Sequence, residues 1–396
     1  MAISCNIQAG QTTESIQQKL DQQQTELDSL KSEIELLKKQ NDPPANHEGS
    51  AHDSGKTYVL SNTSKTDMDL SGRIHRVIMQ VDDGASTNGF FMDSDQGPTM
   101  LRADIKSLKY NDWIVTGALE IGIQSNRSFN VSQDNPNPGT DIQTREANVN
   151  LQNKKYGKFS LGRGFSAAWV APEIDLSGTV PAALLAVGNL APGMLFVDRS
   201  NDQLSNIHVY DHFADTERLL LVDRFRYDSP HINNLQLSGT IAADSRWDMA
   251  LRYYPTLANW TLRSALTYLH KPFQGLDNRV ELGASARHNE TGFSLTLGWA
   301  YGDRTDGEDS HGYIGKLGWL SNLNSLGSTA FSIDYGKASD VRLLGDSSKS
   351  VGLFAYQKWE EVGLDFYAGY RLYEVKRPDI DLYPLKTFTL GIIYNF

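Results

Sequence analysis

His208 and His212 stand four residues apart, with Asp211 and Asp215 beside them. On a helix that spacing would bring two imidazoles to one face, where they could share a metal ion. The stretch reads as a loop and offers no further ligand pattern, so no metal is expected. Gly162-Arg163-Gly164 is glycine-rich, but no β-α-β unit surrounds it, so it is no dinucleotide loop. No Gly-x-Ser-x-Gly elbow is present, and no nucleophile, base and orienting group assemble into one set. Neither an enzyme nor a cofactor is expected.

What the sequence does carry is charge at every second residue. Arg102, Asp104 and Lys106 alternate with uncharged neighbours, as do Arg224 and Arg226, and Arg279 and Glu281. Glu120, Arg252, Arg263, Arg287, Lys316 and Arg371 fall in the same phase of their own segments. A dry core cannot hold so many charges. A water-filled lumen can.

The elements that must position these charges have a period of two from about Thr66 to Phe396. Phe293, Leu295, Leu297, Trp299 and Tyr301 form one apolar face, against Ser294, Thr296 and Gly298. Val362, Leu364, Phe366, Ala368, Tyr370 and Leu372 form another, against Asp365 and Arg371. Each segment is near the ~9–11 residues of a tilted membrane strand. Aromatic residues such as Trp113, Trp260, Trp299, Trp319, Tyr335 and Tyr394 recur at the ends of the apolar faces, where interfacial rings belong. The segments number about sixteen, and single-chain bacterial barrels have even counts. The expected fold is all-β: an antiparallel transmembrane β-barrel with greasy side chains toward lipid and polar ones toward a lumen.

Bulk properties agree. The net charge of −11 argues against a nucleic-acid partner, which would need a basic face. Mean hydropathy is −0.43, and no apolar run approaches the ~20 residues of a membrane helix. The single cysteine, Cys5, allows no disulfide within the chain. Ala2-Ile3-Ser4-Cys5 is similar to a lipoprotein cleavage site, while Met1 to Gly10 carries no basic and apolar secretory pattern.

Residues 11–40 differ from the rest. Ile16, Leu20, Leu27, Leu30, Ile34 and Leu37, with Gln23 filling the position between Leu20 and Leu27, recur at alternating spacings of four and three, the a/d seam of a coiled coil. Glu26 and Lys31, and Glu33 and Lys38, fit attraction between parallel helices. An α-helical extension that holds several copies together is expected. Pro43-Pro44 ends it, and residues 41–65 read as a flexible linker.

The final strand carries Phe388, Leu390, Ile392, Tyr394 and Phe396 on one face. A last strand ending on a terminal Phe resembles the outer-membrane barrel assembly signal, with Tyr394 and Phe396 as its key residues. Thr144 to Leu151 followed by Tyr156 to Arg163, and Arg224-Phe225-Arg226-Tyr227-Asp228-Ser229-Pro230, resemble strands of Gram-negative porins. With the coiled coil added, the chain is similar to trimeric barrels of the DcaP-like type. The resemblance implies an outer-membrane homotrimer that passes small hydrophilic solutes, with the coiled coil in the periplasm. It implies lipid, lipopolysaccharide and the barrel assembly machinery as further partners. It also implies an internal constriction loop, here about residues 164–216, in which Ala182 to Val187 could form a helix. Loop carboxylates Glu173 and Asp175 would face wall arginines Arg73, Arg102, Arg163, Arg224 and Arg226. Strict alternation, however, puts Arg163 on the side of Phe159 and Leu161. Inward bases outnumber inward acids, which suggests a preference for anions. The alternative reading is a structural anchor or adhesin tethered by its coiled coil.

Overall fold

The computed structural model describes residues 66–169, 174–213, 221–255, 257–272, 276–305 and 309–396, and the backbone of Tyr58–Asn62. The heptad residues Ile16, Leu20, Leu27, Leu30, Ile34 and Leu37 lie outside these, as do Cys5 and Glu173. The strands are β1 (Tyr58–Asn62), β2 (Thr66–Asp82), β3 (Thr87–Asp93), β4 (Met100–Ser107), β5 (Trp113–Ser125), β6 (Thr140–Asn153) and β7 (Gly157–Phe165). A long connection follows, with its own hairpin of β8 (Leu195–Asp198) and β9 (Gln203–His208). Then come β10 (Leu221–Asp228), β11 (Leu235–Ala242), β12 (Trp247–Tyr253), β13 (Trp260–His270), β14 (Leu276–His288) and β15 (Phe293–Arg304). The last five are β16 (Ser310–Asn324), β17 (Gly327–Ser339), β18 (Ser347–Trp359), β19 (Leu364–Lys376) and β20 (Leu385–Asn395).

Successive wall strands pair antiparallel, and β2 closes the sheet on β20 from Arg73↔Asn395 to Asp82↔Lys386. On its other edge β2 pairs first with β4 and then with β3, so β3 and β4 share one stave. The wall therefore has sixteen staves, the expected number. Beyond the end of β20, β1 takes up the free edge of β2. The barrel sheet thus includes Tyr58–Asn62, a stretch that the composition assigned to the linker.

The burial pattern is inside out relative to a soluble protein. Leu295 is 47% exposed, Leu297 54% and Leu353 50%, whereas Thr296, Thr387 and Arg371 are at most 1% exposed. Such a surface is stable against hydrocarbon and not against water. Closure leaves no unpaired sheet edge in lipid. Aromatic rings band both ends of the outer surface. At the Phe396 end Trp113 stacks on Tyr156, Phe159 on Tyr227, and Trp319 between Phe293 and Phe331. At the opposite end Trp247 packs on Tyr268 and Trp299 on Tyr301.

Candidate functional site: the inner loop and the charged wall

The connection between β7 and β10 folds into the barrel. Its Ala182, Ala183, Leu185, Val187, Met194, Phe196, Val209 and Phe213 are buried against Val77, Met79, Met92, Tyr356, Tyr373 and Ile393 of the inner wall. The lumen beside β2, β3 and β18–β20 is thus filled by apolar packing. Ala182 to Ala186 is not helical; among the described residues of the connection the helical structure is one 3-10 turn, which begins at Val187 and runs to Leu190, and a five-residue helix, Val209–Phe213. Its alanines and leucines suffice for burial, but the run has no polar face that would favour an amphipathic helix.

Polar contacts pin the loop at intervals around the wall. At its root Arg224 Nε donates to Phe165 O (2.5 Å) and Arg226 donates to Ser166 O (2.9 Å). Next, Asp248 accepts the backbone N–H groups of Ala167 and Ala168, and Arg252 donates to Ala167 O. Lys316 Nζ then reaches Asp175 Oδ2 and Ala183 O, both at 2.6 Å. Thr179 meets Ser332 across 2.8 Å, and the Tyr373 hydroxyl donates to Val187 O. Near the loop's far end Arg342 donates to Asp211, and His212 Nδ1 lies 3.2 Å from Asp346 Oδ2. Burial pushes the Asp211 and Asp346 carboxyls up. Arg342 and the His208 N–H outweigh this for Asp211. His212 and the N–H groups of Leu343 and Arg342 do so for Asp346. Both carboxyls end below the usual range.

The hairpin β8–β9 bridges two rim loops. Leu195 exchanges hydrogen bonds with the Gln133 side chain on one side. On the other, Arg199 N–H donates to Asp381 O and Tyr383 N–H to Val197 O.

A charged wall faces the lumen on β2 and β4–β6. Arg102 binds Asp104 (2.8 Å), Glu120 (2.8 Å) and Glu146 (2.5 Å). Arg145 Nε donates to Glu120 at 2.6 Å. A β-bulge makes this possible. The β5–β6 register skips between Glu120 and Ile121, so Glu120 pairs with Glu146 and Ile121 with Thr144. Arg145 is the extra residue, and the bulge turns it inward beside Glu146. Its terminal nitrogens have no hydrogen-bond partner among the described residues. Farther round, Arg263 and Arg287 also point inward. Arg263 lies over the Tyr254 ring, and among the described residues neither has a carboxylate within ion-pair distance.

The expected site residues thus divide. Arg73 faces the lumen, is 3% exposed and donates to Asn395 Oδ1. Arg102 is inward but surrounded by acids. Arg224 and Arg226 are inward and hold the loop root. Asp175 is in the loop, yet it faces Lys316 rather than an arginine, and both are about 1% exposed. It docks the loop and does not project into the channel. Arg163 is a correction. It stands outside with Leu161, opposite Asp223, and its Nε donates to Thr144 O. Gly162, at φ +115°, takes the inward position instead and accepts a hydrogen bond from Arg224 on its carbonyl, while Gly164 leaves room for the Arg224 guanidinium. Glu173 lies outside the described residues. Arg145 lies in the stretch that resembles a porin strand, and strict alternation from Glu146 would put it outside. Lys316 was legible as an inward charge, but not its partner.

A sixteen-stranded transmembrane barrel with a loop pinned inside it and charges on its inner wall is a channel-forming architecture. The chain belongs to the Gram-negative porin family, whose model matches residues 58–378. Comparison with curated proteins gives no match. Solved structures with the same fold include an anion-selective porin from Comamonas acidovorans, at 14% identity and TM-score 0.57, over 84% of this chain and 100% of that one. Salmonella typhi OmpF in complex with daunomycin is similar at 12% identity and TM-score 0.55, over 84% and 98%. The outer membrane channel DcaP of Acinetobacter baumannii is similar at 11% identity and TM-score 0.54, over 85% and 99%. At these identities the likeness is one of fold. Family and fold together make this an outer-membrane porin.

Proposed function

We propose that this porin passes small hydrophilic solutes by passive diffusion and favours anions. The observation that carries this is an imbalance in spent charge. Among the inward acids, Asp104, Glu120 and Glu146 surround Arg102, with Arg145 also on Glu120, Asp175 is held by Lys316, Asp334 by Arg371, and Asp248 by backbone N–H groups. Arg263 and Arg287 have no carboxylate within ion-pair distance among the described residues, and Arg145 is engaged by Glu120 through Nε alone. Unmatched positive charge in a narrow, low-dielectric passage concentrates anions. Arg73, Arg102, Arg224 and Arg226 contribute to the same field, with Arg224 and Arg226 also setting the position of the constriction loop.

The working unit in this reading is a homotrimer, with the heptads of residues 11–40 as a periplasmic coiled coil. Tyr394 and Phe396 would engage the barrel assembly machinery, and lipid and lipopolysaccharide would surround the aromatic bands. Reversal potentials in a salt gradient test the selectivity. Wild type should show an anion-favouring potential, and the Arg145→Gln, Arg263→Gln, Arg287→Gln triple variant should move it toward zero. A cation-favouring wild type would refute the reading.

A further inference from the structure

Five outward side chains stand in one row across the barrel. Trp299 pairs with Tyr313, Tyr313 with Lys337, Lys337 with Lys349, and Lys349 with Glu374, on β15 to β19. Trp299 belongs to the aromatic band at the end opposite Phe396, so the row lies where the apolar belt meets water. Two lysines directly opposite each other on one face of a sheet repel. Lys349 is drawn to Glu374, at 2.8 Å. Lys337 is exposed and has no carboxylate within ion-pair distance among the described residues. Lys376, two residues beyond Glu374 on the same outward face, is exposed and equally unmatched. Lys386, on the neighbouring strand, is already paired with Asp82 at 2.9 Å.

Glu374 and Lys376 also line a cavity of about 740 Å³, the size of a small-ligand pocket. Its other walls are the β19–β20 connection, with Arg377, Asp379 and Asp381, and Arg199 of the β8–β9 hairpin. Arg377 holds Asp379 at 2.6 Å, and Arg199 lies 3.7 Å from Asp381 and over the Tyr383 ring. The acids of the cavity therefore each face a base, while Lys337 and Lys376 are left over. Through Glu374 the cavity and the lysine pair form one continuous site. On its membrane side the site runs into an apolar face, where Tyr335, Leu353 and Tyr370 are 44%, 50% and 40% exposed. The matching ligand carries negative charge at the water boundary and hydrocarbon below it. We propose that the cavity and its lysines hold the phosphorylated headgroup of an outer-leaflet lipid, and that the bound headgroup steadies the inner loop through Arg199. Phosphate oxygens accept charge-assisted hydrogen bonds from ammonium groups and offset the repulsion between Lys337 and Lys349. Arg199 carries the effect inward because its hairpin is part of the connection that folds into the lumen. The choice of leaflet rests on the outer-membrane reading above, with the Phe396 end toward the periplasm.

The test uses the full chain purified in detergent, with heat-modifiable migration as the check on folding. Native mass spectrometry follows retention of bis-phosphorylated lipid A, of the same lipid stripped of its phosphates, and of inorganic phosphate. Only the phosphorylated lipid should be retained. The Lys337→Gln, Lys376→Gln variant should weaken its retention roughly tenfold. The Lys154→Gln, Lys155→Gln control, in an exposed turn at the Phe396 end, should leave it unchanged. Equal retention of the stripped lipid, or an equal loss in both variants, would overturn the site. Inorganic phosphate held as tightly as the lipid would make it a general anion site and overturn the proposal too. Hydrogen exchange across residues 195–208 should slow when lipid A is bound to wild type, but not in the Lys337→Gln, Lys376→Gln variant. Unchanged exchange in wild type would overturn the tie to the inner loop. Binding in micelles does not depend on orientation in the membrane. Its failure would therefore sink the site and leave the placement of the Phe396 end untouched.

Discussion

Lys316 Nζ and Asp175 Oδ2 lie 2.6 Å apart, one on the barrel wall and one on the inner loop, with both side chains about 1% exposed. Lys316 also donates to Ala183 O, eight residues farther along the loop. One ammonium group thus ties two points of the loop to β16. Removing one partner of a buried pair strands the other charge and costs roughly 3–5 kcal/mol.

Lys316→Met should therefore detach the loop while leaving the barrel intact. In planar bilayers the expected outcome is larger and noisier conductance, with new protease sites within residues 174–213. Combining it with Asp175→Leu removes both charges and should restore a quieter channel. Unchanged current noise in Lys316→Met would show that the tie does not hold the loop.

Gly162 sits at φ +115°, and a Cβ there would strike the Ala147 carbonyl. Gly162→Ala should cost roughly 1–3 kcal/mol in backbone strain. A lower yield of heat-modifiable, folded barrel is the measurable outcome. Normal folding with unchanged conductance would contradict the assigned role.

Asp211 and Asp346 have carboxyls held below the usual range, Asp211 by Arg342 and the His208 N–H, Asp346 by His212 and backbone N–H groups. A depressed folded-state value means that the contribution is full above the ordinary carboxylate range and is lost as pH falls through the lowered value. The loop end should therefore loosen below roughly pH 4, the ordinary carboxylate value. Channel noise measured between pH 7 and pH 3 should rise only at the acid end. Asp346→Asn should show part of that noise already at neutral pH.

Much of the fold was legible because lipid imposes a simple code. Alternation located the wall strands, and the terminal strand from Phe388 to Phe396 declared its outward face directly. Alternation also put Arg163 outside, where it stands, while the resemblance to other porins pointed it inward. Arg145 shows the opposite failure. Its inward turn comes from a bulge opposite Glu120, and an extra residue in one strand leaves no mark in the periodicity of that strand alone. The loop's docking partners were not legible either. Asp175 and Lys316 are 141 residues apart, and only closure of the barrel brings them together. Ala182 to Val187 read as a helix because a short apolar run does not distinguish a helix from an irregular buried segment.

The central claim is that the inner wall bounds a water-filled path through the membrane. Single-channel recording of the purified full chain in a planar bilayer tests it most directly. Stable, ohmic conductance that appears in steps of three is the expected result. A folded, reconstituted protein that carries no current would contradict it.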